Sequence, residues 1–186
     1  MIDVRQDILS PELLKDYATI PISFHSHSHF VVHDEAGHWR LTETTGTSFF
    51  KDYDTLDHPM QWIAQFDTSG WMTFSAFQNS QRVGGAIVAI RTPGVNMLDG
   101  RDDLAVLWDM RVHPDYRKQN VGAALFREIL SWSKANGCRE LKVETQQINV
   151  AACKFYQKMG CELREVREDQ YPGLSDEIQL LWYREL

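Results

Sequence analysis

Two stretches of this 186-residue sequence hold residue types whose spacing could do chemistry. The first runs Val112-His-Pro-Asp-Tyr-Arg-Lys-Gln-Asn-Val-Gly-Ala-Ala-Leu125. An apolar run ends at Val112, His113-Pro114 stops it, and Val121, Leu125, Ile129 and Trp132 then recur at helical spacing. A strand, a turn and the start of a helix are expected. The first turn of a helix leaves four N–H donors unpaired and carries partial positive charge, so its backbone alone can hold a diphosphate. Gly122, Ala123 and Ala124 are small enough to admit phosphates closely, and Asn120 tolerates left-handed backbone angles. Arg117 and Lys118 add positive charge. Taken alone, the same residues also suit an ordinary strand-to-helix turn.

The second set is titratable. Glu144 closes the short run Leu141-Lys-Val-Glu144, and Asp109 sits in the mainly apolar run 104–112. A carboxylate in apolar surroundings has its pKa raised, which makes it a better general base near neutral pH. Either can equally be a structural hydrogen-bonding group. Asn149 is placed to cap a helix over 150–159, and Tyr156, seven residues on, shares a face with it. A pure cap and a half-buried core tyrosine are the plain alternatives. Five histidines fall between His25 and His38, with His25, His27 and His29 alternating. On a strand the outer two of those three would lie roughly 13 Å apart, too far to share one metal ion, which leaves at most a neighbouring pair with His33 or His38 as ligands. A polar edge-strand face is therefore expected there, and no metal.

These residues need a scaffold. Ser10-Pro11 opens a short helix to Tyr17, and 22–32 alternates as a strand. The stretch 49–66 is ambiguous, with Pro59 able to open a short helix. Strand-like runs at 71–77 and 83–91 flank the polar loop 78–82, and a loop over 93–103 precedes the central strand 104–112. The helix from about 117 to 136 stops at Gly137, and the helix that Asn149 caps stops at Gly160. Strands at 161–166 and 178–183 close the sheet. Strand, helix, strand, helix, strand, strand implies parallel pairing across the helical crossovers.

Composition bounds the rest. Hydrophobic residues at 43%, aromatic at 11% and charged at 24% describe a globular chain with an aromatic core, which excludes collagen-like and disordered classes. A net charge of −7 disfavours nucleic acid and anionic membrane as partners and suits a cationic ligand, although it also serves solubility alone. Three cysteines without a CxxC pair argue against a disulfide framework and a cysteine-rich zinc site. No apolar stretch approaches the ~20 residues that span a bilayer, and the first residues lack a secretory pattern, so a cytoplasmic location is expected.

Arg117-x-x-Asn-x-Gly122 resembles the R/Q-x-x-G-x-G/A acyl-CoA pyrophosphate loop of the GNAT superfamily of N-acetyltransferases. Further on, Asn149-x-x-Ala152-x-x-Phe155-Tyr156-x-x-x-Gly160 is similar to the second motif of that superfamily. The flanks Leu107 to Arg117 and Glu144 to Asn149 resemble the streptothricin acetyltransferase branch in particular. The resemblance covers about 71–186. Two positions depart from it: Asn120 stands where the loop usually has its middle glycine, and Cys161 where an aromatic commonly follows Gly160.

The resemblance implies a mixed α/β fold, the GNAT acyl-CoA N-acyltransferase fold, with a central mixed sheet of about six to seven strands flanked by helices. It implies one domain over 1–186, with 1–70 a divergent acceptor-side region and 71–186 the acetyl-CoA-binding core. The cosubstrate would be acetyl-CoA and the partner a small amine; the resemblance leaves a homodimer open. Pantetheine would pair with the main chain of Met110, Arg111 and Val112, between the splayed ends of strands 104–112 and 141–144. Arg117, Lys118, Gln119, Asn120, Val121, Gly122 and Ala123 would hold the pyrophosphate, with Asn149 and Ala152 also on the cofactor. Tyr156 would protonate the departing thiolate, and Glu144, ahead of Asp109, would be the base. A streptothricin-like or aminoglycoside-like acceptor is implied, with a protein N-terminus or lysine, and a non-catalytic acyl-CoA sensor, as alternatives.

Overall fold

The computed structural model describes residues 1–174 and 176–186. In chain order its strands and α-helices are β1 (Asp3–Asp7), α1 (Pro11–Tyr17), β2 (Phe24–Glu35), β3 (His38–Lys51), α2 (Trp62–Gln65), β4 (Trp71–Gln78), β5 (Gln81–Ile90) and β6 (Leu104–Val112), then α3 (Val121–Ala135), β7 (Glu140–Gln146), α4 (Val150–Lys158), β8 (Glu162–Arg167) and β9 (Gln179–Glu185). The fold is mixed α/β, as expected. The chain divides into two units, one comprising Met1–Ser23, Asp52–Leu141 and Leu186, the other Phe24–Lys51 and Lys142–Glu185. Among the described residues no helix is long and apolar enough to cross a membrane.

In the first unit the strand order is β1-β4-β5-β6, each neighbouring pair antiparallel. The expected loop 78–82 shrinks to a two-residue turn, because Asn79 (φ 50) and Ser80 (φ 65) both take left-handed angles that match the twist of the flanking strands. Strand β1 has no signal in its sequence: Asp-Val-Arg-Gln-Asp is short and polar, and it pairs as an edge from Asp3 opposite Phe77 to Asp7 opposite Thr73. Helix α1 starts as its residues predict, with Ser10 Oγ accepting from Leu13 N at 3.2 Å. Stretch 49–66 resolves into the end of β3, short 3-10 turns and α2. Trp62 is buried there and donates Nε1–H to Asp57 at 2.7 Å.

The glycine pair of β5 sets how closely the layers approach. A Cβ on Gly84 would lie 2.9 Å from Val121 Cγ1 on α3 and 2.9 Å from the Arg111 carbonyl, and a Cβ on Gly85 would lie 2.6 Å from the Tyr17 ring. A Cβ essentially never comes within 3.0 Å of such atoms, so the two glycines seat α3 and Tyr17. Leu14, Tyr17, Trp62, Trp71, Ile87, Ala89 and Val106 make a core on which Phe66 and Trp108 pack.

In the second unit β2 and β3 form a long hairpin, paired from Phe24 opposite Lys51 to Glu35 opposite His38 and bulged between Ser26 and Ser28. Strand β3 was not legible in the sequence because it is mostly exposed and lacks an apolar alternation. The hairpin is tied to its own unit by Phe30 N donating to the Gln147 carbonyl at 2.9 Å and Trp39 Nε1 to the Arg164 carbonyl at 3.1 Å. The other strands run in the order β7-β9-β8. The expectation of parallel pairing across the α4 crossover is therefore corrected: β9 inserts between β7 and β8. The two final runs carry similar strand signals, and nothing local tells which of them lies beside β7.

Candidate active site

Helix α3 begins without a side-chain cap. Its N-cap residue, Asn120, is left-handed (φ 65, ψ 9) and its side chain makes no capping bond. Lys118 is left-handed as well (φ 60), which its sequence did not signal. Left-handed residues on both sides of Gln119 make backbone of the kind that turns successive N–H groups into an anion-binding concavity. The loop is pinned from outside. Gln119 Nε2 donates to the Asp115 carbonyl at 2.7 Å, and Arg117 donates to the Val112 carbonyl at 3.2 Å and the Ser23 carbonyl at 3.1 Å. The Arg117 guanidinium thus braces the turn. Buried Val121, Leu125, Phe126 and Ile129 anchor α3, while Gly122, Ala123 and Ala124 are half-buried.

On β6, Met110 and Val112 are half-buried and Arg111 is buried. The Arg111 guanidinium meets Asp109 through two bonds, 2.8 and 3.0 Å, pairs with Asp54 at 2.7 Å and donates to the Ile20 carbonyl at 3.2 Å. Tyr17 donates its hydroxyl to Asp109 too, and its ring lies 5.2 Å from the guanidinium carbon. Burial, reinforced by the Asp109 charge, pushes the Tyr17 hydroxyl pKa well up, so the phenol stays a donor. Both Asp109 oxygens are therefore occupied by a buried ion pair. Sequence reasoning missed this network, although Asp109 and Arg111 stand two apart on a strand and so share a face.

Glu144, on β7, has a different environment. Tyr171 donates its hydroxyl to Oε1 at 2.6 Å and Gln179 donates Nε2–H to Oε2 at 2.8 Å. Burial raises the Glu144 pKa, partly offset by those hydrogen bonds, by Gln146 and by the charge of Arg167. On α4, Asn149 Oδ1 accepts from Ala152 N at 3.2 Å, the cap its position predicts. Ala152 is half-buried. Tyr156 is buried, its ring edge-on to Phe155 with centroids 5.2 Å apart. Tyr171 was invisible from sequence because it lies in the β8–β9 connection, 27 residues from its partner.

The hairpin histidines do not share one face in simple alternation, because the bulge between Ser26 and Ser28 interrupts it. His25 and His27 are exposed, with His25 packed 4.8 Å from the Phe50 ring. Among the described residues no three His, Cys, Asp or Glu side chains come together as a metal site. The second unit also holds a cavity of about 450 Å³ whose lining includes His29, Val31, Gln147, Glu168, Asp169 and Asp176.

Comparison with known proteins gives this geometry a context. A model of the acetyltransferase (GNAT) family matches residues 33–161. Streptothricin acetyltransferase A of Bacillus subtilis (strain 168) is 28% identical over 152 residues, covering 80% of this chain and 81% of that protein. The ribosomal protein bS18 alanine N-acetyltransferase of Escherichia coli (strain K12) is 31% identical over 143 residues, covering 73% of this chain and 90% of the enzyme. Among solved structures, one assigned as a streptothricin acetyltransferase from Bacillus anthracis str. Ames, in complex with acetyl coenzyme A, superposes with a TM-score of 0.80 at 24% identity and full coverage of both chains.

Proposed function

The chain belongs to the GNAT acetyltransferase family, and from that premise we propose that it moves an acetyl group from acetyl-CoA directly to a primary amine of a small cationic acceptor. The observation that carries this reading is the uncapped, left-handed start of α3. Amide donors gathered there, beside small residues, suit the diphosphate of CoA. The acetyl-CoA bound in the Bacillus anthracis structure supports the same cosubstrate. Lys118 to Ala123 would supply the cradle and Arg117 its brace, while the main chain of Met110, Arg111 and Val112 would meet the pantetheine. Asn149 and Ala152, at the start of α4, complete the residues assigned to the cofactor.

Transfer needs a neutral amine, stabilisation of the developing oxyanion and a proton for the thiolate. Glu144 takes the proton from the attacking nitrogen as the C–N bond forms. Backbone N–H groups of β6 stabilise the oxyanion, and Tyr156 gives its proton to sulfur as the C–S bond breaks. Glu144 suits the base because burial raises its pKa toward the working range, whereas Asp109 is committed to Arg111 and Tyr17. Charge supports this acceptor class: the net −7 and the acidic residues Glu168, Asp169 and Asp176 lining one cavity favour a polyamine, and streptothricin is the acceptor named for the Bacillus subtilis relative. The Escherichia coli relative, with its ribosomal-protein acceptor, favours a second reading in which the acceptor is a protein N-terminus.

Free-thiol release with acetyl-CoA against streptothricin, polyamines, amino acids and an alanine-initiated peptide tests the proposal. Turnover fastest with streptothricin or a polyamine is expected. Peptide preferred over every small amine would favour the second reading, and no thiol release with any amine would overturn both.

A further inference from the structure

We propose that Tyr171 is the positioning residue of the general base, its hydroxyl fixing the Glu144 carboxylate in the orientation that receives the amine proton. This rests on the reading of Glu144 as the base. The bond of 2.6 Å has the length of a charge-assisted bond from a hydroxyl to a carboxylate. The tyrosyl oxygen in turn accepts from Gln146 Nε2 at 2.9 Å. Gln146 stands two residues beyond Glu144 on β7, so both side chains leave the same face of the strand. Donation therefore runs one way, from Gln146 to Tyr171 to Glu144, and each bond polarises the next. Among the described residues, without the phenol Oε1 would keep only the contact with Gln146 Nε2 at 3.4 Å, and Gln179 alone would hold the other oxygen.

A tyrosine in a connection positions nothing unless the connection is itself held. Here its returning end is clamped. The Gln147 side chain donates to the Asp176 carbonyl at 2.6 Å and accepts from Ile178 N at 2.7 Å, and buried Glu177 pairs with Lys51 from the end of β3. Burial and the Glu144 charge push the Tyr171 pKa up, so the hydroxyl keeps its proton and remains a donor. Among the described residues, the charges that act most on this pair are Arg167 from β8, on Glu144, and Glu177 from the connection, on Tyr171, with Lys51 set against Glu177. A pH response of the pair is read against those charges, which Tyr171→Phe leaves in place.

The experiment compares wild type, Tyr171→Phe and Glu144→Gln in the thiol-release assay, using acetyl-CoA and the amine turned over fastest in the panel above. Tyr171→Phe removes a bond that favours the ionised carboxylate. The acid limb of its kcat/KM profile should move up by about one pH unit, with kcat about 10-fold lower and the KM for acetyl-CoA unchanged. An acid limb coincident with that of wild type overturns the proposal, whatever happens to stability, because a tyrosine that only packs would not move it. Near wild-type kcat in Glu144→Gln, or no turnover by wild type with any amine, removes the base reading and this proposal with it. If Tyr171→Phe fails to fold by circular dichroism, Gln146→Leu takes its place: a smaller upward shift supports the chain of donors, and no shift overturns it.

Discussion

Replacing Arg111 with methionine removes the cation around which the first unit is organised while keeping most of the side-chain volume. Arg111 is 2% exposed, and it neutralises Asp109 through two bonds and Asp54 through one. Removing one partner of a buried pair leaves an uncompensated buried charge and costs about 3–5 kcal/mol. For a chain of this length each kcal/mol lowers Tm by about 2–4 °C, so Arg111→Met should melt about 6–20 °C below wild type. The sign of its pH dependence follows from the neighbouring Asp57 carboxyl. Burial, with the charges of Asp109 and Asp54 beside it, already holds the Asp57 carboxyl above its usual range, and the Arg111 charge opposes that. Without Arg111 the folded pKa rises further. Stability conferred by a raised carboxyl is present below its unfolded pKa and is lost as pH rises through the folded value. The deficit should thus be small near pH 4 and grow toward pH 7. Adding Asp109→Leu to Arg111→Met should recover about 1 kcal/mol or more by removing the stranded charge. Thermal melts from pH 4 to 8 decide it: a loss under about 1 kcal/mol, or one that does not vary with pH, would refute the argument.

Three other substitutions address the site. Glu144→Gln should lower kcat by about 10²-fold or more, and the wild-type kcat/KM profile should show an acid limb above the ordinary glutamate range, because burial raises that carboxyl. Its stability at pH 8 should equal or exceed that of wild type, since ionising a raised carboxyl disfavours the fold. The Gln179 Oε1, buried without a hydrogen-bond partner among the described residues, can turn to accept from the new amide. Tyr156→Phe should lower kcat by about 10²-fold in stopped-flow thiol release and leave the KM for acetyl-CoA within about twofold. Gly84→Ala forces a methyl against Val121 and the Arg111 carbonyl, so it should cost about 1–3 kcal/mol in a denaturant titration and weaken CoA binding by displacing the start of α3.

The parts of the fold legible in sequence are those whose signals are local. The apolar spacing of α3, the Ser10 and Asn149 caps and the buried run of β6 each announce their element within a dozen residues. The unread parts depend on distant partners. Strand β3 exists because β2 lies opposite it, β1 because β4 offers an edge, and β9 takes its place through a pairing no local pattern encodes. The site divides in the same way. The Asn120 backbone angle and the Asn149 cap follow from what asparagine does at such positions. The tyrosines that donate to Glu144 and Asp109 come from 27 and 92 residues away, so the environments that distinguish the two carboxylates became visible only in the folded chain.

Calorimetric titration with CoA, with pantetheine as the comparator, reaches the centre of the account because only CoA carries the diphosphate assigned to the start of α3. Saturable one-to-one heat with CoA and binding of pantetheine weaker by about 100-fold or more is the expected result, given several charge-assisted bonds from amide donors. No heat with CoA, or equal affinity for both compounds, would contradict it.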